Sequence, residues 1–308
     1  MTSARRSPSL VRTCGELLAA HDLFIFDMDG VLWHGTNAIP GAADALRALR
    51  DANKRVRFVT NNASKHRSAY VDKLRKHGID ASLEEVYSSA SSAAKVVKHT
   101  LRRSHAFVLG MEGVVRELED VGVKVSGGHE YKPPATMEEA HHQELDLTVD
   151  AVVAGVDHNL NYMKIMHASF LLHAKGSDIS FVATNLDAHG PTSNGRFAPG
   201  GGVSVMSVQT ASGRKPDVVA GKPSQMILDL IMDEEPRIDR SRALMIGDRL
   251  DTDIAFANAG GIRSLLVLSG CTSVATLEQK QSEGEAEAHM IPVYYADSIA
   301  VLAASESA

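Results

Sequence analysis

Leu23-Phe24-Ile25-Phe26-Asp27-Met28-Asp29-Gly30-Val31-Leu32 is the stretch from which the fold can be read. Its first four residues form an apolar run too short for a helix, and the run leads into Asp-Gly. That pattern predicts a buried strand. Two carboxylates two positions apart follow at once. Period-two geometry can aim both at the crevice beyond the strand's carboxyl end, where parallel-sheet proteins place ligands. Close carboxylates repel and share a proton unless a cation lies between them. An all-oxygen set of this kind suits Mg²⁺, which takes one or two carboxylates and keeps waters for the rest. Gly30 permits a tight turn against a ligand. Read alone, the stretch also fits an ordinary Asp29-Gly30 turn with Asp27 as a cap.

A second carboxylate cluster repeats the arrangement. Ala243-Leu244-Met245-Ile246 is another buried-strand run, followed by Gly247-Asp248-Arg249-Leu250-Asp251-Thr252-Asp253. Asp248 is the natural third metal ligand, and Asp253 can orient a bound water. Asp251 is expected to cap the apolar helix that begins near Ile254. Arg57-Phe58-Val59-Thr60-Asn61-Asn62 is a strand that ends in a hydroxyl and two amides. A loop of this kind, opening a helix, offers N–H groups and an O–H to a phosphate. Asn-Asn is equally at home in a plain turn. Val218-Val219-Ala220 leads into Gly221-Lys222-Pro223, where Lys222 would be a point charge for a phosphate or a nucleophilic carboxylate.

Strand and helix patterns alternate along the rest of the chain. Ala42, Ala45, Leu46 and Leu49 make a helical stripe, and Ser68–His77 reads as a helix stopped by Gly78. Glu85–Tyr87 predicts a strand with a helix over Ser91–Leu101 behind it. Phe107–Leu109, Ala151–Ala154 and Ile179–Ala183 are further strands, with helices over 111–119 and 160–174. A Gly/Pro/Asn-rich loop over Asp187–Gly202 precedes a helix at 203–211. Gln279–Glu287 reads as a polar surface segment. Such alternation implies an α/β fold with a parallel sheet covered by helices on both faces.

Composition narrows the function. The chain has 308 residues, 44% of them hydrophobic, enough for a sizeable core, and a net charge of −6 that disfavours a nucleic-acid partner. No apolar run approaches the ~18–20 residues of a membrane span. Two cysteines, Cys14 and Cys271, exclude a disulfide scaffold and point to a reducing, cytoplasmic setting. His141-His142 reads as surface. The Arg/Ser-rich Met1–Arg12 faintly resembles a transit peptide but is read as a frayed tail before a short helix. Ser305–Ala308 carries no retention or peroxisomal address.

Taken in order, Asp27-Met28-Asp29-Gly30, Thr60, Lys222 and Gly247-Asp248 with Asp253 resemble the four motifs of the haloacid dehalogenase superfamily. Asp29-Gly30-Val31-Leu32-Trp33, Val59-Thr60-Asn61-Asn62, Gly221-Lys222-Pro223-Ser224 and Gly247–Ile254 are similar to one branch, the phosphoglycolate, pyridoxal-phosphate and 4-nitrophenyl phosphatases. Tyr294–Ile299 resembles that branch's closing segment, so the likeness runs from about residue 15 to the end. Three positions depart from it. Met28 stands where relatives often have Cys. Gly200-Gly201-Gly202 replaces Gly-Thr-Gly. Gly190 falls where pyridoxal-phosphate phosphatases carry a loop histidine, with His189 one position early.

The resemblance implies a doubly wound, Rossmann-like parallel core with an inserted α/β cap. The core is expected over 1–103 and 215–308 and the cap over 104–214. The stretch between Thr60 and Lys222 is several times the ~30 residues of a simple βαβ unit; one larger continuous sheet is the alternative. The resemblance makes Asp27 the nucleophile and Asp29 the general acid–base. It assigns Mg²⁺ to Asp27, Asp248 and the main-chain carbonyl of Asp29, with Asp253 supporting them. Thr60, Asn61, Asn62 and Lys222 then surround the phosphoryl oxygens. Asn185, just before the Asp187–Gly202 loop, and Asp187 and His189 on it read the leaving group, or are simply turn-forming polar residues.

The expected function is Mg²⁺-dependent hydrolysis of a small phosphate monoester such as phosphoglycolate or 4-nitrophenyl phosphate. Pyridoxal phosphate is the alternative substrate, and a non-catalytic phosphate-binding module the alternative class. Dehalogenation needs neither a metal nor a second acid, so Asp29 and Asp248 argue against it. No nucleic acid or membrane partner is expected, and a homodimer is left open.

Overall fold

In the computed structural model, residues 8–11, 13–191 and 196–303 are described. Most of the Met1–Arg12 tail, residues 192–195 of the Asp187–Gly202 loop, and the Ser305–Ala308 terminus lie outside them. The chain divides into two units. One comprises Met1–Thr60, Val71–Val86 and Leu228–Ala308; the other comprises Asn61–Tyr70 and Tyr87–Ile227.

Among the described residues, seven strands form the larger sheet, in the order Ser9–Leu10, Tyr294–Ala296, Arg263–Val267, Ala243–Gly247, Leu23–Phe26, Arg55–Thr60, Val86–Ser88. The pairings from Ser9–Leu10 across to Arg55–Thr60 are parallel. Ala243–Gly247 lies at the centre with Leu23–Phe26 beside it, and both are buried at every position. A strand covered on both faces has to be a continuous apolar run, which is why neither sequence alternates. The helix Ala42–Asp51 buries the expected stripe of Ala42, Ala45, Leu46 and Leu49. The α/β class read from the sequence is therefore the observed one.

The second unit holds a five-stranded sheet in the order Val218–Val219, Ser180–Ala183, Ala151–Ala154, His105–Leu109, Lys124–Gly127, with every pairing parallel. Its core packs Phe107, Leu109, Val152 and Phe181 against Ala168, Leu171, Val205 and Val208 from the helices Tyr162–Lys175 and Gly201–Ser212.

Local readings change in four places. Ser9–Leu10 is not frayed: it pairs with Tyr294–Tyr295 at the sheet edge. The predicted 91–101 helix runs as Ser89–Lys95 and then widens into a π-helical turn, Val96–Thr100. The Asp187–Gly202 segment is not wholly loop, because His189–Pro191 pairs antiparallel with Phe197–Pro199. Lys124–Gly127 escapes the sequence pattern because none of its residues is fully buried. Among the described residues, no helix is long and apolar enough to cross a membrane.

Candidate active site

The register of the large sheet places the first group of candidate residues. Phe26 lies opposite both Ile246 and Phe58, and the Asp27 N–H donates to the Ile246 carbonyl at 2.8 Å. Asp27, Thr60 and Asp248 therefore all lie at the carboxyl edge of three adjacent strands. Carboxylate oxygens of Asp27, Asp248 and Asp253 fall within 4.8 Å of one another. Asp248 is 2% exposed and Asp253 is 1% exposed, so water contributes little screening to this concentration of negative charge.

Main-chain donors hold the group. Asp253 accepts from the N–H groups of Asp248 and Arg249, both at 3.1 Å. Asp248 Oδ2 accepts from the Cys271 N–H at 2.7 Å, and the Thr272 hydroxyl donates to the Asp248 carbonyl at 2.6 Å. Two glycines make the room. A Cβ on Gly30 would lie 2.3 Å from Asp248 Oδ2, and one on Gly270 would lie 2.0 Å from it. Gly30 also takes φ +84°, which side chains disfavour. Burial, with the Asp248 carboxylate beside it, pushes the Cys271 thiol up to about 12, which disfavours its thiolate. The chemistry of the donor set fits a hard divalent cation: oxygen only, anionic and buried.

Asp29 behaves differently from its neighbours. Its carboxylate is not among the three grouped acids and turns to the Trp33 side. Trp33 Nε1–H donates to Asp29 Oδ1 at 2.8 Å, and Lys73 Nζ lies 3.8 Å from the same oxygen and 4.0 Å over the Trp33 ring. The side chain of Asp29 is 45% exposed, against the burial of Asp248 and Asp253. A carboxylate oriented by hydrogen bonds yet open to solvent suits proton transfer. Asp251 caps nothing: the segment Leu250–Ile254 is a π-helical turn without a side-chain cap, and Asp251 pairs with Arg249 at 2.7 Å. Burial opposes ionisation of Asp251, but the Arg249 hydrogen bonds win and hold its carboxyl below the ordinary range.

The remaining sequence candidates lie in the second unit. The Asn61 side chain pairs with the main chain of Lys222: Oδ1 accepts from the Lys222 N–H at 2.8 Å and Nδ2 donates to the Lys222 carbonyl at 2.9 Å. Nδ2 also faces the Asp187 carboxylate at 3.2 and 3.3 Å. Asn62 Oδ1 accepts from the N–H and hydroxyl of Ser64, at 3.0 and 2.6 Å, closing an Asx turn. The two amide side chains thus shape the loop, and what this loop can offer an anion is main-chain N–H. Lys222 is 3% exposed and Asn185 equally so. Asn185 Nδ2 donates to the Asn61 carbonyl at 2.8 Å. His189 is exposed on its hairpin, with the Phe197 ring edge-on at 4.8 Å between centroids.

Trp33, Lys73 and the Ser269–Thr272 turn were not singled out as functional from the sequence. A turn directly after the strand Arg263–Val267 was the available signal, since it lies at the same sheet edge as the other candidates.

Comparison with known proteins agrees with the geometry. The profile of the haloacid dehalogenase-like hydrolases matches residues 24–124, and a HAD-hydrolase-like profile matches 219–300. The chain is 40% identical to the glycerol-3-phosphate phosphatase of Homo sapiens over 93% of this chain and 91% of that protein. It is 38% identical to the 4-nitrophenylphosphatase of Schizosaccharomyces pombe, over 94% and 95% of the two chains. Phosphoglycolate phosphatase 2 of Arabidopsis thaliana is 36% identical, over 90% and 91%. Among solved structures, a glycerol phosphate phosphatase from Mycobacterium tuberculosis in complex with magnesium superposes with a TM-score of 0.74 at 30% identity, over 93% of this chain and 77% of that one. The chain belongs to the haloacid dehalogenase-like hydrolases, as its four motifs suggested. Within that family it is a phosphatase.

Proposed function

We propose that the chain hydrolyses small phosphate monoesters with Mg²⁺, through a phosphoryl group carried on Asp27. The observation that supports this best is the convergence of the Asp27, Asp248 and Asp253 carboxylates at one strand edge. Asp27 and Asp248, with the main-chain carbonyl of Asp29, would hold the ion, and Asp253 would steady it from behind. Bound Mg²⁺ supplies positive charge that offsets the repulsion between an anionic nucleophile and an anionic ester.

The protein's own groups do the rest. An Asp27 carboxylate oxygen attacks phosphorus in line; the new P–O bond forms as the ester P–O bond breaks, leaving an acyl phosphate. Asp29 gives its proton to the departing oxygen. It then takes a proton from the water that attacks the phosphoryl group, which regenerates Asp27 and releases inorganic phosphate. Trp33 and Lys73 hold the Asp29 carboxylate at the angle both transfers need. Thr60, the loop amides and the Lys222 ammonium serve the phosphoryl oxygens.

The curated relatives favour a small leaving group. The substrate lean is therefore to glycerol-3-phosphate, phosphoglycolate or 4-nitrophenyl phosphate, with pyridoxal phosphate behind them. The 104–214 segment acts as the cap that reads that group, His189 among its readers. A cytoplasmic setting rests on the two free cysteines, Cys14 and Cys271; a homodimer is the assembly to test. The deciding experiment is turnover of a phosphate-ester panel after chelation and again after Mg²⁺ is restored. Full activity without metal would sink the mechanism, and a marked preference for pyridoxal phosphate would overturn the substrate lean alone. His189→Ala should change the ratio of kcat/KM between substrates more than it changes nitrophenyl phosphate turnover.

A further inference from the structure

We propose that Asn61 is a positioning residue, through which the loop after Thr60 sets both the main chain of Lys222 and the root of the hairpin that carries His189. The inference rests on the functional reading above, because it takes Lys222 to serve the phosphoryl group.

Every polar atom of Asn61 named here is engaged with one of those two segments or with the residues behind them. Oδ1 accepts from the Lys222 N–H and Nδ2 donates to the Lys222 carbonyl, at 2.8 and 2.9 Å. This two-point contact imitates a rung of a β-ladder, with a side-chain amide in place of a peptide. The second hydrogen of Nδ2 points to the Asp187 carboxylate, at 3.2 and 3.3 Å to its two oxygens. The Asn61 carbonyl accepts from the Ser89 hydroxyl at 2.6 Å and from Asn185 Nδ2 at 2.8 Å. Asn185 Oδ1 in turn accepts from the Asp187 N–H at 3.1 Å, which fixes the start of the hairpin segment.

Steric fit supports the same assignment. A Cβ on Gly221 would lie 2.7 Å from Asn61 Oδ1 and 2.6 Å from the Thr184 carbonyl. The Gly221–Lys222 turn therefore approaches Asn61 as closely as a glycine allows. Only an amide combines the acceptor needed by the Lys222 N–H with a donor for both the Lys222 carbonyl and Asp187. An aspartate of the same shape keeps the acceptor, loses the donors and opposes Asp187 with a second negative charge. A displacement of about 1 Å at a group that positions a reacting phosphate is worth up to ~10²-fold in rate. The pairing thus gives the buried Lys222 a defined main-chain position and links leaving-group readout to the phosphate loop.

The two arms of the amide separate experimentally. Asn61→Asp should lower kcat/KM by roughly tenfold or more for both nitrophenyl phosphate and glycerol phosphate, and should also shift the ratio between them. Adding Asp187→Asn puts a donor back between positions 61 and 187. The substrate ratio should then return to the wild-type value while the common deficit persists, because the carboxylate at 61 still cannot donate to the Lys222 carbonyl. A purely structural lesion would not be split in this way. An Asn61→Asp enzyme with wild-type kinetics, or a ratio that Asp187→Asn fails to restore, overturns the proposal.

Hydrogen exchange gives a readout independent of turnover. In Asn61→Leu the Lys222 amide should exchange faster than in the wild type; unchanged protection overturns the proposal. Asp27→Asn should leave that exchange as it is. Persisting turnover in Asp27→Asn would overturn the functional reading, so the two failures can be told apart.

Discussion

Two groups of three metal-capable side chains occur among the described residues, and they are not equivalent. One is Asp27, Asp248 and Asp253; the other is His66, Glu117 and Asp120. In the second, Glu117 carries its own counter-charge. The Arg67 Nε–H donates to both Glu117 oxygens, at 3.1 and 2.9 Å, and its main-chain N–H donates to one of them at 2.9 Å. His66 Nδ1 accepts from the Ser68 N–H at 3.2 Å, which leaves the proton on Nε2 for Asp120 Oδ2 at 2.9 Å. A ring nitrogen that carries a proton offers no lone pair to a metal. In the first group main-chain N–H groups steady Asp248 and Asp253. Proximity of acids is common to both; three carboxylates make an all-oxygen donor set, whereas the His66 N–H on Asp120 and the Arg67 guanidinium on Glu117 make the second group a clasp. The clasp ties the loop at 61–70 to the helix Glu112–Asp120, whose Gly113 lies so close that a Cβ would be 2.5 Å from the Ala63 carbonyl.

That contrast can be broken at several levels. The largest expected effect is from Asp27→Asn, which should abolish turnover and trapping of a phosphoenzyme; a variant that still accumulates phosphoenzyme would displace Asp27 as nucleophile. Asp29→Asn should lose about 10²–10⁴-fold, more for alkyl phosphates than for nitrophenyl phosphate, because a good leaving group needs no proton. A uniform loss across leaving groups would remove the general acid. Glu117→Gln, in the clasp, leaves Arg67 without its counter-charge and should cost about 3–5 kcal/mol of stability by denaturant titration. The Mg²⁺ dependence of its turnover should stay that of the wild type, and a changed metal dependence would contradict the division drawn here. Mg²⁺ at about 100 times its Kd should stabilise the wild type by about 2.7 kcal/mol. The shift should vanish in Asp248→Asn and persist in Glu117→Gln.

A second histidine sharpens the comparison by its pH dependence. His21 is 2% exposed, and neither ring nitrogen has a hydrogen-bond partner, whereas His66 is bonded at both. Burial, aided by the nearby Arg263 and Arg242, pushes His21 down to about 4 from 6.5. Its folded form must stay neutral, so its contribution to stability is fully present above pH 6.5. The contribution falls as pH drops from 6.5 toward 4, where the unfolded chain binds the proton first. His21→Phe should flatten the fall in Tm over that interval; an unchanged slope would assign the acid sensitivity elsewhere. This is the smallest of the expected effects.

What the sequence determined by itself was whatever depends on short range. Leu23–Phe26 and Ala243–Ile246 are apolar because both sheet faces are covered, and Asp27, Asp29 and Asp248 follow them directly, so strand ends and acids could be read together. Tertiary structure decided which acids meet. Asp253, five positions beyond Asp248, joins the cluster because the π-helical turn brings it back onto two N–H groups, while the Asp29 carboxylate turns aside to Trp33. It also decided the use of Asn61, whose amide could equally have formed a turn until Gly221 let the distant Lys222 turn come within hydrogen-bonding reach. Periodicity reports burial along one element. The partner of a polar atom depends on how separate elements approach each other, and no local pattern carries that.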